Sequence, residues 1–269
     1  MPTVRTPAAE LHYERAGSGE PLLLIQGMSG THVAWGDPFL EPLREHFDVT
    51  AFDNRGIGLS APVDGPFTIV EMAEDTAALM GELGLESAHV VGISMGGMIA
   101  QELALAHPER LRSLALGCTY CGGPGSELMP EENARKLMEG LASGDRDKAI
   151  RASYEVNLSS TFRADESHFA AFHEMATSVP AAKQTIKLQV QAIFGHDTSG
   201  RLGEIAAPTL IVHGTEDGVL PYPNGELIAS LMPSARFETL EGVGHMFWWE
   251  QPEVSADLIR EHTLTAGRA

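Results

Sequence analysis

Gly92-Ile93-Ser94-Met95-Gly96 is the stretch on which the reading of this chain turns. A glycine two residues either side of a serine is a short pattern, so its flanks decide what it means. The apolar run His89 to Ile93 precedes it, and Gly97-Met98-Ile99-Ala100-Gln101-Glu102-Leu103-Ala104 follows it. Strand, sharp turn and helix in that order push a serine hydroxyl out at the strand end. The two glycines let the backbone turn tightly and let strand and helix approach closely. The first amides of the helix aim at the same spot.

Outward from this turn, short β-type runs alternate with helical patterns. Leu22 to Gln26, Val49 to Phe52, His89 to Ile93, Leu114 to Gly117, Thr209 to Val212 and Arg236 to Leu240 read as strands. Their near-continuous apolar character fits parallel strands buried on both faces. Leu11 to Glu14, followed by Gly17-Ser18-Gly19, predicts an antiparallel hairpin at the sheet edge. Helices are expected over Ile69 to Leu83, Met98 to His107 and Pro252 to His262, the last with Val254, Leu258 and Ile259 inward. After Gly117 the alternation stops. Glu131 to Leu141, Asp147 to Val156, Asp165 to Ala176 and Ala181 to Phe194 read as helices with no strand between them. The expected fold class is therefore α/β, with a mostly parallel, doubly wound sheet of about eight strands. Residues 1–120 and 204–269 would form the core domain, and 121–203 a helical cap inserted after strand six.

Composition narrows the function. Lys and Arg number 18 against 37 Asp and Glu, a net charge of −19. Binding to a phosphate backbone needs clustered cations, so nucleic acid is disfavoured, and an anionic membrane surface likewise. With 43% hydrophobic residues the chain builds a packed core. No apolar run of about 18 residues is present to span a bilayer. Glu10, His12, Glu14 and Arg15 fall where a secretory signal would be apolar, so a cytoplasmic protein is expected. Cys118 and Cys121 have C-x-x-C spacing, yet no second pair accompanies them and they follow a strand, so neither zinc nor a disulfide framework is expected.

A serine alcohol attacks a carbonyl only if a neighbouring base takes its proton. Of eleven histidines, His245 follows Gly242-Val243-Gly244, a flexible loop after the last strand. An acid must orient the imidazole, and Asp217 lies just past the strand ending at His213-Gly214, with Glu216 as the alternative. Ser94, Asp217 and His245 thus each follow a different strand, on one rim of the sheet. Asp53 and Arg55 are read as loop braces, and His196-Asp197 as a surface or packing pair.

Taken together, Ile25-Gln26-Gly27-Met28, Phe52-Asp53-Asn54-Arg55-Gly56-Ile57-Gly58-Leu59-Ser60, Gly92 to Met98, His213 to Asp217 with Pro221, and Gly244-His245 with Glu250-Gln251-Pro252 resemble the α/β-hydrolase fold superfamily, close to its esterase and 3-oxoadipate enol-lactonase branch. The resemblance implies a Ser94-His245-Asp217 triad and an oxyanion hole from the amides of Met28 and Met95. The family usually has His-Gly where this chain has Gln26-Gly27; Gln still donates and accepts hydrogen bonds, so the hole is expected to survive. Pocket candidates are Gly27, Trp249 and the insertion residues Phe162, Phe172, Met175 and Phe194, with Met129, Met138 and Phe169 in the core of the same layer. The expected activity is hydrolysis of a small-molecule carboxylic ester or lactone through an acyl-enzyme, with no cofactor and no metal, by a monomer or homodimer. The alternatives are carbon-carbon bond hydrolysis of meta-cleavage products, motivated by Trp249, a perhydrolase or haloperoxidase-like activity, and a hydrolase-fold ligand receptor.

Overall fold

Leu22-Leu23-Leu24-Ile25 is apolar at every position because it has no solvent side: none of the four is more than 1% exposed. In β3 (Glu20–Ile25), Leu23 and Ile25 pack into one apolar layer while Leu22 and Leu24 pack into the other. Period-two alternation thus feeds two cores from one strand. The computed structural model describes residues 1–179 and 182–266. Around β3 stand β4 (Phe47–Phe52) and β5 (Ala88–Ile93), both parallel to it, then β6 (Leu111–Gly117), β7 (Thr209–Gly214) and β8 (Arg236–Leu240). With β1 (Thr3–Arg5) and β2 (Glu10–Gly17), the described residues make one eight-stranded sheet in the order β1-β2-β4-β3-β5-β6-β7-β8.

The edge differs from expectation. Gly17-Ser18-Gly19 does not close a hairpin, because β2 pairs antiparallel with β4 and β3 lies on the far side of β4. The connection crosses the start of β4, where a Cβ on Gly17 or Gly19 would lie 2.2 or 2.3 Å from a carbonyl oxygen of Phe47 or His46. The edge hairpin is β1 with β2, turned by a Thr6 N–H to Ala9 carbonyl bond of 2.8 Å.

Each face has its helices. α2 (Ile69–Glu82), α3 (Met95–Ala106) and α8 (Pro223–Leu231) cover one, with Met72, Leu79, Leu103 and Ile228 in its core. α1 (Asp37–Arg44) and α10 (Pro252–Ala266), the latter preceded by the single turn α9 (Phe247–Glu250), cover the other, with Phe39, Leu43 and Ile259. α2 starts at a reciprocal cap: Thr68 Oγ1 accepts from Glu71 N and Glu71 Oε2 accepts from Thr68 N. In α10 the inward face is Ser255, Ala256 and Ile259, whereas Val254 is 47% exposed, against expectation. His262 Nε2, 3.1 Å from the Leu114 and Pro208 carbonyls, anchors the face in line with Ser255 and turns Val254 outward. α1 and α8 were not foreseen: prolines open both, and Pro42 lies inside α1.

Between β6 and β7 run α4 (Glu131–Ala142), α5 (Arg146–Asn157), α6 (Ser167–Ser178) and α7 (Lys183–Phe194). The expected start of the last of these at Ala181 lies outside the described residues. Tyr154, Leu158 and Phe172 sink into the core beneath, but Met138 and Phe194, expected inside, are 64% and 67% exposed. Phe194 is the last residue of α7 and is left exposed; Met138 is on the outer side of α4, whose buried residue is Gly140. Among the described residues no helix is long and apolar enough to cross a membrane.

Candidate active site

From Ala88 to Ala104, Ser94 alone reaches solvent. It joins β5 to α3 at φ 53° and ψ −125°, a strained conformation for a residue with a Cβ, worth about 1–3 kcal/mol. The surroundings over-determine it. Ser94 N–H donates to the Gly117 carbonyl at 2.9 Å, and Thr119 Oγ1 donates to the Ser94 carbonyl at 2.7 Å. A Cβ on Gly92 would sit 2.3 Å from the Gly96 carbonyl oxygen, and one on Gly96 2.1 Å from that of Ile25. Both glycines of the motif are therefore steric requirements.

Past β7, Asp217 Oδ1 accepts the amides of Val219 and Leu220 at 2.8 and 2.9 Å. Its Oδ2 accepts His245 Nδ1 at 2.7 Å and lies 3.1 Å from His213 Nε2. Burial alone would push this carboxyl up, but the His245 charge and the two imidazole hydrogen bonds outweigh it and hold it well below the usual carboxylate range. The acceptor on His245 Nδ1 places that nitrogen's proton, leaving Nε2 as the ring's basic position. The competing acid is engaged elsewhere: Glu216 Oε2 accepts Ser160 N and Oγ, both at 2.9 Å.

The loop after β3 passes against the serine, where a Cβ on Gly27 would be 2.9 Å from Ser94 Cβ and 3.4 Å from its Oγ. Gln26, standing where the family usually has histidine, turns its Oε1 back on the Gly27 amide at 3.1 Å, while Asn54 Nδ2 holds the Gln26 carbonyl at 3.0 Å. Ser29, at φ 60°, donates its amide to Gln189 Oε1 on α7 at 2.9 Å. The amides of Met28 and Met95 have no acceptor among the described residues.

The pocket candidates separate. Trp249 and Met175 line a cleft of about 530 Å³ together with Glu14, His32 and Trp35, and Ser94, Asp217 and His245 are not among its walls. Both Trp249 and Trp248 donate their indole N–H to the Ala34 carbonyl. Phe172 packs edge-on to Tyr154 and Trp249, and Phe162 stacks on His168 with ring centres 4.0 Å apart. Phe194 is not among the walls of this cleft and is exposed at the surface.

Asp53 and Arg55 brace their loop and do not pair. Asp53 accepts His32 N, His32 Nδ1 and Leu59 N, while Arg55 Nε meets Asp75 Oδ2. His196 is a packing residue beside Gln101 and Tyr120, its pKa lowered by burial to about 4. Of the cap cations, Arg151 pairs with Glu166 over the Phe169 ring and Arg201 with Glu102. The residues the sequence reading missed are carboxylate and amide clamps. Glu250 accepts Ser159 N, Ser159 Oγ and Gly244 N at 2.7, 2.6 and 3.0 Å, tying the inserted helices to the loop before His245. Gln189 does the same for the loop after β3. The Glu250-Gln251-Pro252 match was the one signal pointing to such a role.

Comparisons with known proteins fit this arrangement. The model of the alpha/beta hydrolase fold family matches residues 20–252. A candidate carbamate hydrolase, RutD, of Azorhizobium caulinodans is 32% identical over 262 residues, covering 96% of this chain and 97% of the relative. Est816, an N-acyl homoserine lactone degrading enzyme, superposes with a TM-score of 0.80 at 29% identity over 97% of this chain and 99% of its own. The enol-lactonase of Burkholderia xenovorans, at 23% identity and a TM-score of 0.85 over 98% and 100% of the two chains, shows the shared fold. The chain belongs to the alpha/beta hydrolase fold family.

Proposed function

We propose that this protein is a serine hydrolase acting on a carboxylic ester or lactone of a small molecule, with Ser94, His245 and Asp217 as its triad. The observation that carries the reading is a solvent-reaching serine held at a strained strand-helix turn, on the same sheet rim as an imidazole hydrogen-bonded to a buried carboxylate. His245 Nε2 takes the Ser94 proton as the oxygen attacks the acyl carbon. The amides of Met28 and Met95 hold the resulting oxyanion, each donor worth about 10²–10³ in rate. The tetrahedral intermediate collapses, His245 returns the proton to the leaving alkoxide, and the acyl group stays on Ser94. Water then attacks with His245 as base, and the acid departs with Ser94 restored. Asp217 remains ionised throughout and stabilises the imidazolium.

Replacing Ser94 with alanine tests this. A fluorophosphonate probe labels the wild type and not Ser94→Ala, and hydrolysis of p-nitrophenyl butyrate falls by roughly 10⁴–10⁶. Equal labelling of both proteins removes the reading. The carbamate hydrolase relative favours a second substrate class attacked at the same kind of carbonyl. A carbamate hydrolysed with higher kcat/KM than every ester and lactone in the same panel moves the assignment there.

A further inference from the structure

On β2, His12 and Glu14 are two residues apart and share a face; His32 comes from the turn after β3. One ring nitrogen of each histidine and a carboxylate oxygen of Glu14 lie within 4.8 Å of one another. His32 Nε2 is 3.7 Å from Glu14 Oε1, and the two rings meet edge to face with centres 4.7 Å apart. Each imidazole is held from behind by a group that only accepts: His12 Nδ1 by the Pro2 carbonyl at 2.9 Å, His32 Nδ1 by Asp53 Oδ1 at 2.9 Å. The ring protons therefore sit on Nδ1, and both Nε2 atoms keep a lone pair to offer. His12 Nε2 is buried with no hydrogen-bond partner in a residue only 1% exposed.

The geometry points to a divalent transition-metal site, zinc by its ligand set, formed by His12, Glu14 and His32. Two acceptor nitrogens and a carboxylate with no donor among them want a cation. A proton on His32 would satisfy Glu14 and still leave the His12 lone pair bare, whereas one metal ion satisfies all three. Histidines backed by a carboxylate and a backbone carbonyl are the outer-shell arrangement that fixes metal-binding imidazoles. At Zn–N distances of about 2.0–2.1 Å, tetrahedral donors stand about 3.3 Å apart. Glu14, whose side chain is 54% exposed, can turn to close its 3.7 Å separation from His32, which at 6% exposure is fixed. Glu14 and His32 also line the 530 Å³ cleft, so coordination positions not filled by the protein open onto it. A small carboxylate or carbonyl ligand would enter there. The site is separate from Ser94 and holds whether or not the triad works.

The test is calorimetric titration of tag-free, chelator-stripped protein with Zn²⁺, repeated with Mg²⁺. One equivalent of zinc at a Kd of about 1 µM or tighter is expected, with no magnesium binding at that concentration. Glu14→Ala, an exposed change that leaves the core alone, should weaken zinc at least about tenfold. His12→Gln should abolish the site, and Ser94→Ala and the surface variant His173→Ala should bind as the wild type does. X-ray absorption of the zinc complex should show two imidazole ligands. Absence of binding tighter than about 100 µM overturns the proposal. So does unchanged affinity in Glu14→Ala, a result that stands even if His12→Gln fails to fold.

Discussion

The sheet core and the helices inserted after β6 are packed to different degrees. Across Ala88 to Ala104 every residue but Ser94 is buried, and the packing leaves no room for a methyl group at Gly92 or Gly96. In α4 the buried residue is Gly140, and in α6 it is Phe172. What fastens these helices to the loops around Ser94 and His245 includes a short set of polar clamps: Glu250 on Ser159 and Gly244, Glu216 on Ser160, and Gln189 on Ser29. The lesson is a division of labour. Close packing fixes Ser94, whereas the inserted helices add polar clamps to the packing of Ile150, Tyr154, Leu188 and Ala192, so their attachment to the loops around Ser94 and His245 yields at lower cost.

The sharpest break in that contrast should come from the acid. Asp217→Asn keeps the shape but loses the charge that holds the His245 tautomer, so kcat should fall about 10⁴-fold with stability changed far less; steady-state kinetics beside urea unfolding separates the two. Next, Gly96→Ala should cost at least about 3 kcal/mol in urea unfolding, because its Cβ would meet backbone at 2.1 Å. Gly144→Ala, between α4 and α5 with nothing within 4 Å, carries only the strain of φ 71° and should cost about 1–2 kcal/mol.

Acid should then act through His196. Its folded value near 4 lies below the 6.5 of a free imidazole, so the unfolded chain takes up a proton that the folded chain refuses. That contribution is complete above pH 6.5 and is lost as pH falls toward 4, amounting to at most about 3 kcal/mol. His196→Gln should flatten the stability curve over that interval, checked by chemical unfolding at several pH values. Smaller still, Glu250→Gln should loosen Ser159 by about 1–2 kcal/mol. Amide exchange across residues 157–163 should rise while exchange across β5 does not, and Glu216→Gln, at an exposed clamp, should do less.

How much of this was legible in the sequence follows from how local each feature is. The turn at Ser94 is legible because two glycines, an apolar run and a helical stretch are contiguous. The phase of α10 was not, since Val254 and Ile259 are both apolar and only His262 reaching the Leu114 and Pro208 carbonyls selects the inward face. Phe194 was misplaced because an apolar residue at the end of a helix says nothing of whether another element covers it, and at 67% exposure it is left uncovered. The sequence favoured Asp217 over Glu216 by its register past the strand, but what each carboxylate holds needed the loops around them: one meets Ser160 and the other His245.

By itself, then, the sequence determined the alternation of strands and helices, the serine elbow, the helical insertion and the chain order Ser94, Asp217, His245. These rest on periodicity and backbone sterics, which act between neighbours. Only the tertiary structure decided that β4 lies between β2 and β3, that Asp217 Oδ2 meets His245 Nδ1 while Glu216 turns to Ser160, and that His12, Glu14 and His32 converge. Those outcomes depend on strand order and on side chains from separate elements meeting in space, and no spacing along the chain encodes such a distance.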